Sequence, residues 1–190
     1  VKPSAVRRFF PEQKMDTYQE AFAAVMDSLQ PDLCERNVLV AHQFFAGAAR
    51  SESEDISVGG IDMISTDILP PFDYVALGHI HRPQNIGKES VRYSGTPLKY
   101  SFSEVKDQKS VTIIQLKEKG TVSIGTIPLK PLHDLREIRG SYEEVTLLDN
   151  YKDTDVNDYV RITLTDEEDI PNALGKLRVI YPNLMKLDYD

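Results

Sequence analysis

The 190-residue sequence contains a single cysteine, Cys34, and no long hydrophobic run. One cysteine excludes an internal disulfide framework and any zinc site built from several cysteines, and it fits a reducing, cytoplasmic location. No apolar stretch approaches the ~20 residues of a membrane-spanning helix, so no membrane partner is expected. The sequence also has no glycine-rich phosphate loop, no Gly-x-Ser-x-Gly elbow and no Cys/His catalytic pair.

An excess of positive charge is also absent. The net charge is −8, and residues 131–190 carry −7 of it, while residues 1–130 carry −1. Nucleic-acid affinity comes largely from cations that displace counterions, so the acidic part of the chain is a poor general polyanion binder. Any contact with DNA must therefore use local basic patches.

Two apolar runs of the sequence lead directly into histidine. Residues 38–42 read VLVAH and residues 74–81 read YVALGHIH. Continuous apolar runs of this kind predict strands that are buried on both faces. Sites in α/β sheets lie at the carboxyl ends of strands, so we expect His42, His79 and His81 to converge.

The second run makes a further prediction about side-chain direction. Residues two apart in a strand point to the same side, so His79 and His81 should face one way and Ile80 should face the core. Gly78 has no side chain and allows a close approach of the backbone to a ligand. Imidazole is the commonest metal ligand, and three imidazoles suit zinc, manganese or iron. A structural, hydrogen-bonded role for each histidine remains an alternative.

The carboxylates that such a centre needs are not obvious nearby. Asp62 and Asp67 fall in a predicted helix before Pro70, and Asp73 lies at the entry end of its strand. We expect these acids to be surface or capping residues. His133, which follows a leucine just beyond a proline, is expected to be a surface residue.

The rest of the pattern predicts an α/β chain of two domains, residues 1–129 and 130–190. Residues 15–30 have helical spacing with a capping box at Thr17 and Glu20, and residues 46–60 read as a loop around the site. Residues 111–116 and 121–127 are predicted to pair as strands. After the prolines at 128 and 131, the pattern predicts a small β-α-β-α-β module of the α+β class. Its first helix opens with a capping box at Ser141 and Glu144, and Met185, Leu187 and Tyr189 alternate in its last strand.

Several motifs together resemble a known family. They are LGHIHRP (residues 77–83), VRYSGTP (91–97), the opening KPSAVRRFF (2–10), VAHQF (40–44), SVGG (57–60), SFSE (101–104) and YVRITLTD (159–166). These segments resemble the calcineurin-like metallophosphoesterases and, more closely, the SbcD exonuclease family. The resemblance implies the second half of a metallophosphoesterase β-sandwich flanked by helices, followed by a small capping domain that contacts DNA.

The resemblance also implies a two-manganese centre. It makes His42 and His79 ligands of one manganese ion and His81 a ligand of the other. The family's Asp-x-His, Gly-Asp and Gly-Asn-His-Asp motifs, which supply the bridging carboxylate, a metal-binding asparagine and a catalytic histidine, do not occur here. We therefore expect the chain to be the C-terminal portion of a longer nuclease and to be inactive alone, with no catalytic residue of its own.

The resemblance further implies a role in DNA repair, recombination and replication, with SbcC as the ATPase partner of the parent complex. Candidate DNA-phosphate contacts are the basic residues Arg7, Arg8, Arg82, Lys88, Arg92 and Lys99. Half of a sandwich exposes apolar surface, so self-association as a homodimer is also expected.

Two other functions remain open at this point. The chain could be a non-catalytic module that binds DNA or a protein partner. It could also be a phosphoesterase of nucleotides or phosphoproteins, although the capping-like segment after residue 130 argues against that.

Overall fold

A computed structural model of the chain describes residues 1–54, 63–69 and 72–190. Asp62 and the SVGG segment at 57–60 lie outside the described residues. The chain divides into two compact units, Val1–Pro97 with Asp107–Leu129, and Leu98–Lys106 with Lys130–Asp190. Leu98–Lys106 thus joins the second unit, whereas a division at residue 129 leaves it with the first. The division into domains at residues 129 and 130 therefore remains a prediction.

The first unit contains more strand than helix, and its two α-helices lie near its start. The helices are α1 (Pro3–Val6) and α2 (Tyr18–Leu29). The strands are β1 (Val38–His42), β2 (Phe44–Phe45), β3 (Met63–Ile64), β4 (Tyr74–Gly78), β5 (Gln84–Ile86), β6 (Lys88–Tyr93), β7 (Ser110–Leu116) and β8 (Val122–Pro128).

A four-stranded sheet with the order β1-β4-β6-β5 forms the centre of the first unit. β1, β4 and β6 run parallel, and β5 is antiparallel to β6. The core on one face of this sheet includes Phe22 of α2, Phe45 of β2, and Leu39, Val75 and Leu77 of the sheet. The parallel arrangement brings the carboxyl ends of β1 and β4 to the same edge.

β1 departs from the prediction that it is buried on both faces. Val38 is 44% exposed and Val40 is 80% exposed, while Leu39 between them is buried. β1 lies at the edge of the sheet, and the core packs against only the face that carries Leu39. The prediction is confirmed for β4, where Tyr74 on one face is 1% exposed and Val75 and Leu77 on the other are each 2% exposed.

The predicted amphipathic helix is confirmed as α2, and its start is fixed by the capping box. The Thr17 hydroxyl accepts from the Glu20 N–H, and the Glu20 carboxylate accepts from the Thr17 N–H. The predicted helix before Pro70 is wrong for the described residues. β3 and a single 3₁₀ turn at Thr66–Ile68, capped by the Ser65 hydroxyl, occupy this stretch.

The predicted hairpin is confirmed. β7 and β8 pair antiparallel from Ser110 opposite Pro128 to Leu116 opposite Val122. Gly120 has a φ of +82° in the connecting turn, a conformation that glycine adopts without a steric cost.

The second unit is a β-α-β-α-β arrangement, as the pattern predicts. Its strands are β9 (Leu135–Gly140), β10 (Tyr159–Leu164) and β11 (Leu184–Tyr189), and its helices are α3 (Tyr142–Thr146), α4 (Leu148–Tyr151) and α5 (Ala173–Leu177). β10 is central and pairs parallel with both neighbours, so the unit is α/β rather than the expected α+β. A capping box at Ser141 and Glu144 opens α3, as predicted.

The core of the second unit lies against the middle strand. Val160, Ile162 and Leu164 are each fully buried, and Leu177, Tyr181 and Leu184 pack in the same cluster. Met185, whose alternation with Leu187 suggested an inward position, is 61% exposed because the register between β10 and β11 shifts at Val160. Among the described residues, no helix is long and apolar enough to cross a membrane.

Candidate metal centre

The parallel register of β1 and β4 brings two of the three histidines together. His42 pairs with Gly78, so His79 follows one residue beyond. The rings of His42 and His79 lie 5.3 Å apart, centroid to centroid, at an interplanar angle of 70°. Two imidazoles that bind one divalent ion at about 2.1 Å and a near-tetrahedral angle have centroids roughly 5 Å apart. The spacing of this pair therefore fits two ligands of one metal ion.

Gly78 is what allows the two rings to approach. A side-chain carbon at position 78 would lie 2.9 Å from His42 Nδ1, so any larger residue there displaces the His42 ring. The sequence predicted a close approach of the Gly78 backbone to a ligand. In the structure it is the His42 ring of the neighbouring strand that approaches Gly78.

His79 does not continue the strand, contrary to the prediction. β4 ends at Gly78, and His79 has a φ of +98°, a left-handed conformation that costs a non-glycine residue roughly 1–2 kcal/mol. The alternation that was expected to align His79 with His81 therefore does not apply. Ile80 is 2% exposed within the core, as predicted, and it anchors the turn between the two histidines.

His81 is held by the loop at residues 51–54. The Ser53 hydroxyl lies 2.7 Å from His81 Nδ1, and the Glu54 carboxylate accepts from the His81 N–H. The second oxygen of Glu54 accepts from the Ser51 N–H at 3.0 Å. A hydrogen-bond partner on one ring nitrogen is how metal-binding histidines are commonly oriented.

The backbone of His81 is fixed from the other side by a buried lysine. Lys109 is 4% exposed, and its ammonium donates to the His81 carbonyl at 2.8 Å and to the Thr96 hydroxyl at 3.1 Å. The Thr96 N–H donates to the same carbonyl at 3.1 Å. A side-chain carbon on Gly95 would lie 2.8 Å from that carbonyl, so only glycine fits there.

Tyr93 fixes the segment that follows His42. Its hydroxyl donates to the Gln43 carbonyl at 2.7 Å and accepts from the Phe45 N–H at 2.8 Å. Burial in the core raises the pKa of Tyr93 to about 12, so the hydroxyl stays protonated and able to donate. The end of β1 is thereby tied to β6.

The three histidines do not form a single compact site. Among the described residues, these three do not form a group in which one ligand atom from each lies within 4.8 Å of the others. This arrangement is compatible with two separate ions. His42 and His79 would bind one, and His81, which Ser53 orients, would bind the other. The ring spacing of His42 and His79 supports ligation of one ion by these two residues.

The acids nearest in sequence have other roles where they are described. Asp73 was expected at the surface or as a cap, but its side chain is 2% exposed and binds three donors, the N–H groups of Asn37 and Gly120 and the Lys119 ammonium. Lys119 and the two N–H groups hold the pKa of Asp73 well below its usual range. Asp67 lies in the 3₁₀ turn, where its N–H and carboxylate both bond to Ser65.

The candidate DNA contacts fall into two groups. Arg7, Arg8 and Lys88 are exposed. The other three have partners within the protein: Arg82 pairs with Asp107, Arg92 donates to Asn85 and Thr112, and Lys99 pairs with Asp134. Half of the predicted set therefore already has structural contacts.

Sequence reasoning missed four residues around the histidines. Ser53, Glu54 and Lys109 contact His81, and the Arg50 guanidinium lies 3.7 Å from the centre of the Phe44 ring, which in turn lies 6.4 Å from the His79 ring. The only signal for Arg50, Ser53 and Glu54 was that they fall in residues 46–60, which the sequence predicts to be a loop around the site. Lys109 gave none, because it lies 28 residues from His81.

Comparison with known proteins finds sequence similarity along nearly the whole chain. Residues 131–190 match the SbcD C-terminal family model, described as the type 5 capsule protein repressor C-terminal domain. The chain is 32% identical over 187 residues to the SbcD subunit of the SbcCD nuclease from Staphylococcus epidermidis. The match covers 97% of this chain and 50% of the relative, so the chain spans about half the length of the curated relative. The chain is similar to SbcD-type proteins, and its residues 131–190 match the C-terminal domain of that family.

Proposed function

We propose that the chain is the C-terminal part of a DNA nuclease subunit of the SbcCD type. The spacing of His42 and His79 at the carboxyl ends of two parallel strands carries this proposal, because it suits two ligands of one divalent ion. The similarity to a protein named as a subunit of the SbcCD nuclease supports the reaction class, hydrolysis of DNA phosphodiesters.

In this proposal His42 and His79 hold one manganese ion, and His81 holds a second. Two bound ions would orient the attacking water and neutralise the phosphate oxygens of an in-line displacement. Ser53 orients the His81 ring through Nδ1, and Glu54 and Lys109 fix its backbone. The chain thus contributes ligands and the residues that orient them.

The first unit is, in this proposal, the second half of a metallophosphoesterase sandwich. The face of the sheet that carries Val38 and Val40 is apolar and open at β1. An apolar face in the middle of a strand is normally covered by another layer. We propose that the remainder of the nuclease domain covers it, and that the chain alone self-associates through it.

The isolated chain is proposed to be inactive. His42, His79 and His81 supply only part of a two-metal centre, and Glu54, the buried carboxylate beside them, already accepts from two backbone N–H groups. Losing even an outer residue of a metal site costs about 10–100-fold. Loss of a bridging carboxylate and of further ligands should cost far more.

The proposed partners are DNA and the ATPase SbcC, with a role in DNA repair and recombination. Arg7, Arg8 and Lys88 are exposed and are the better candidates for phosphate contacts. A binding module without chemistry is the second candidate. The partners of Arg82, Arg92 and Lys99 within the protein disfavour it, since a DNA-binding face needs cations free to displace counterions.

A nuclease assay on a longer protein that contains this chain and the family's missing motifs tests the proposal. Manganese-dependent DNA hydrolysis should fall at least a hundredfold in His79→Ala, and Glu168→Ala, at an exposed position of the second unit, should keep it. Full activity in His79→Ala would refute the assignment. DNA binding that persists in His79→Ala without any hydrolysis in the wild-type protein would favour the binding module.

A further inference from the structure

A second group of metal-ligating side chains lies in the second unit. His133, Asp155 and Asp158 place their possible ligand atoms within 4.8 Å of one another. They are brought together by the parallel pairing of β9 and β10, in which Leu135 lies opposite Tyr159. His133 comes just before β9 and Asp158 just before β10, so the group lies at the amino-terminal edge of this sheet.

We propose that His133, Asp155 and Asp158 bind a divalent transition-metal ion of the zinc or manganese class. One imidazole nitrogen and two carboxylates are a donor set that such ions accept, with further positions left for water. The candidate nuclease site plays no part in this proposal, which rests on residues 133–158 alone.

The environment of His133 gives an observation independent of the acids. Its Nδ1 atom is buried and has no hydrogen-bond partner among the described residues, and its ring meets the edge of Tyr159 with centroids 6.2 Å apart. A buried ring nitrogen without a partner is rare, and a bound ion is one of the few explanations. The ring is fixed by packing while one of its polar atoms stays unsatisfied.

Asp158 is buried and already oriented. It is 6% exposed, and its Oδ1 accepts from the Asp134 N–H at 2.7 Å. Arg136 Nε lies 2.7 Å from Oδ2 as an ion pair, but its N–H is not directed at this oxygen as a hydrogen bond. Each carboxylate oxygen has two lone pairs, so a ligand position remains on Asp158, and the neighbours act as the outer contacts that orient metal ligands.

Asp155 opens the group to solvent. It is exposed, and its Oδ1 accepts from the Asn157 N–H at 3.0 Å, which fixes its side chain in the loop before β10. The two aspartates outweigh the single positive charge of Arg136, so the local charge is negative before any ion binds. An ion can therefore enter from the Asp155 side and reach the His133 ring and the Asp158 carboxylate.

A zinc titration of the 190-residue chain tests the proposal. The chain carries His79→Ala and His81→Ala, which remove the candidate ligands of the first unit, and binding is followed by calorimetry. We expect one saturable site, with an affinity at least tenfold lower in His133→Phe and in Asp155→Asn. Phenylalanine keeps the ring contact with Tyr159, and circular dichroism checks that each variant is folded.

Asp153→Asn is the matched control, because Asp153 is an exposed acid of the same loop outside the group. It should change the affinity by less than twofold. No saturable zinc binding, unchanged affinity in His133→Phe, an equal loss in Asp153→Asn, or calcium bound as tightly as zinc would each overturn the proposal. If His133→Phe does not fold, NMR of the otherwise unaltered chain tests the site instead. Manganese should selectively broaden the His133 ring resonances, and the absence of broadening would count against the site.

Discussion

β1 of the first unit and β10 of the second both pair with parallel neighbours, yet their less-covered faces carry different residues. β10 places Tyr159, Arg161 and Thr163 on that face, and β1 places the apolar Val38 and Val40 there. Val160 and Ile162 of β10 have no exposed surface, whereas Val38 and Val40 of β1 are 44% and 80% exposed. β10 has a strand on each side and a core of its own, and β1 is an edge strand with one open face. The second unit completes its own core, while the first presents apolar surface that we propose another part of the nuclease covers.

The two units also place their polar groups at opposite ends of their strands. His42 and His79 follow the carboxyl ends of β1 and β4. His133 and Asp158 precede β9 and β10. The first position is where sites in α/β sheets are expected, and the second is not, which is why only the first could be found from sequence.

The largest expected effect contrasts one buried valine with one exposed valine. Val160→Ala should lower the free energy of unfolding by about 2–3 kcal/mol, because it removes fully buried methyl groups and leaves a cavity. Val40→Ala should lower it by about 0.5 kcal/mol or less at concentrations where the chain is monomeric. Urea denaturation of both variants measures the difference, and equal losses would mean that the face of β1 is covered in the isolated chain.

A smaller loss is expected at the turn beside His81. Gly95 has a φ of +78°, so Gly95→Ala should cost about 1–2 kcal/mol for the backbone alone, with a further loss from the contact with the His81 carbonyl. Gly125 of β8 has open space around it and no positive φ, so Gly125→Ala is the control. Denaturation midpoints check both, and a Gly95→Ala protein as stable as Gly125→Ala would show that the turn relaxes freely.

The pH dependence should differ between the units. Asp73 has a lowered pKa in the folded protein because of Lys119 and two N–H groups, so it stabilises the fold above its unfolded pKa of about 3.9. That contribution is lost as the pH falls below about 4. The pKa of Asp188 in the second unit is also lowered, chiefly by Arg161.

Urea midpoints between pH 7 and pH 3 measure these contributions. Asp73→Asn should flatten the acid dependence more than Asp188→Asn, because Asp73 is 2% exposed and Asp188 is 27% exposed. An acid dependence that is the same in Asp73→Asn and in the unaltered chain would contradict the role given to Asp73.

The smallest effect concerns self-association through the open face. Val38→Lys with Val40→Lys should shift the chain toward monomer in sedimentation velocity, while Val179→Lys, at an 85% exposed position of the second unit, should not. Equal shifts in both proteins would indicate a general effect of charge rather than a surface on β1.

The elements that the sequence predicted correctly are those with a local signal. The capping boxes at Thr17 and Ser141, the hairpin around Gly120 and the buried run of β4 each depend on a few neighbouring residues. The exposure of β1 depends on its place at the sheet edge, which no local pattern specifies. The sequence therefore predicted the strand but not its open face.

The candidate site shows the same division. The meeting of His42 with His79 followed from strand ends, but the contacts of Ser53, Glu54 and Lys109 with His81 join residues 27 or more positions apart. Strand alternation also failed at His79, because its positive φ ends the strand one residue early. The long-range contacts of His81 and the positive φ of His79 could therefore not be predicted from the sequence.

One assay tests most directly the claim that the chain supplies half of a metal centre. The purified 190-residue chain is incubated with DNA and manganese beside its His79→Ala variant. The proposed half-site predicts no hydrolysis above the level of the variant. Robust manganese-dependent hydrolysis by the chain, lost in His79→Ala, would contradict it, because the three histidines and their neighbours would then suffice for catalysis.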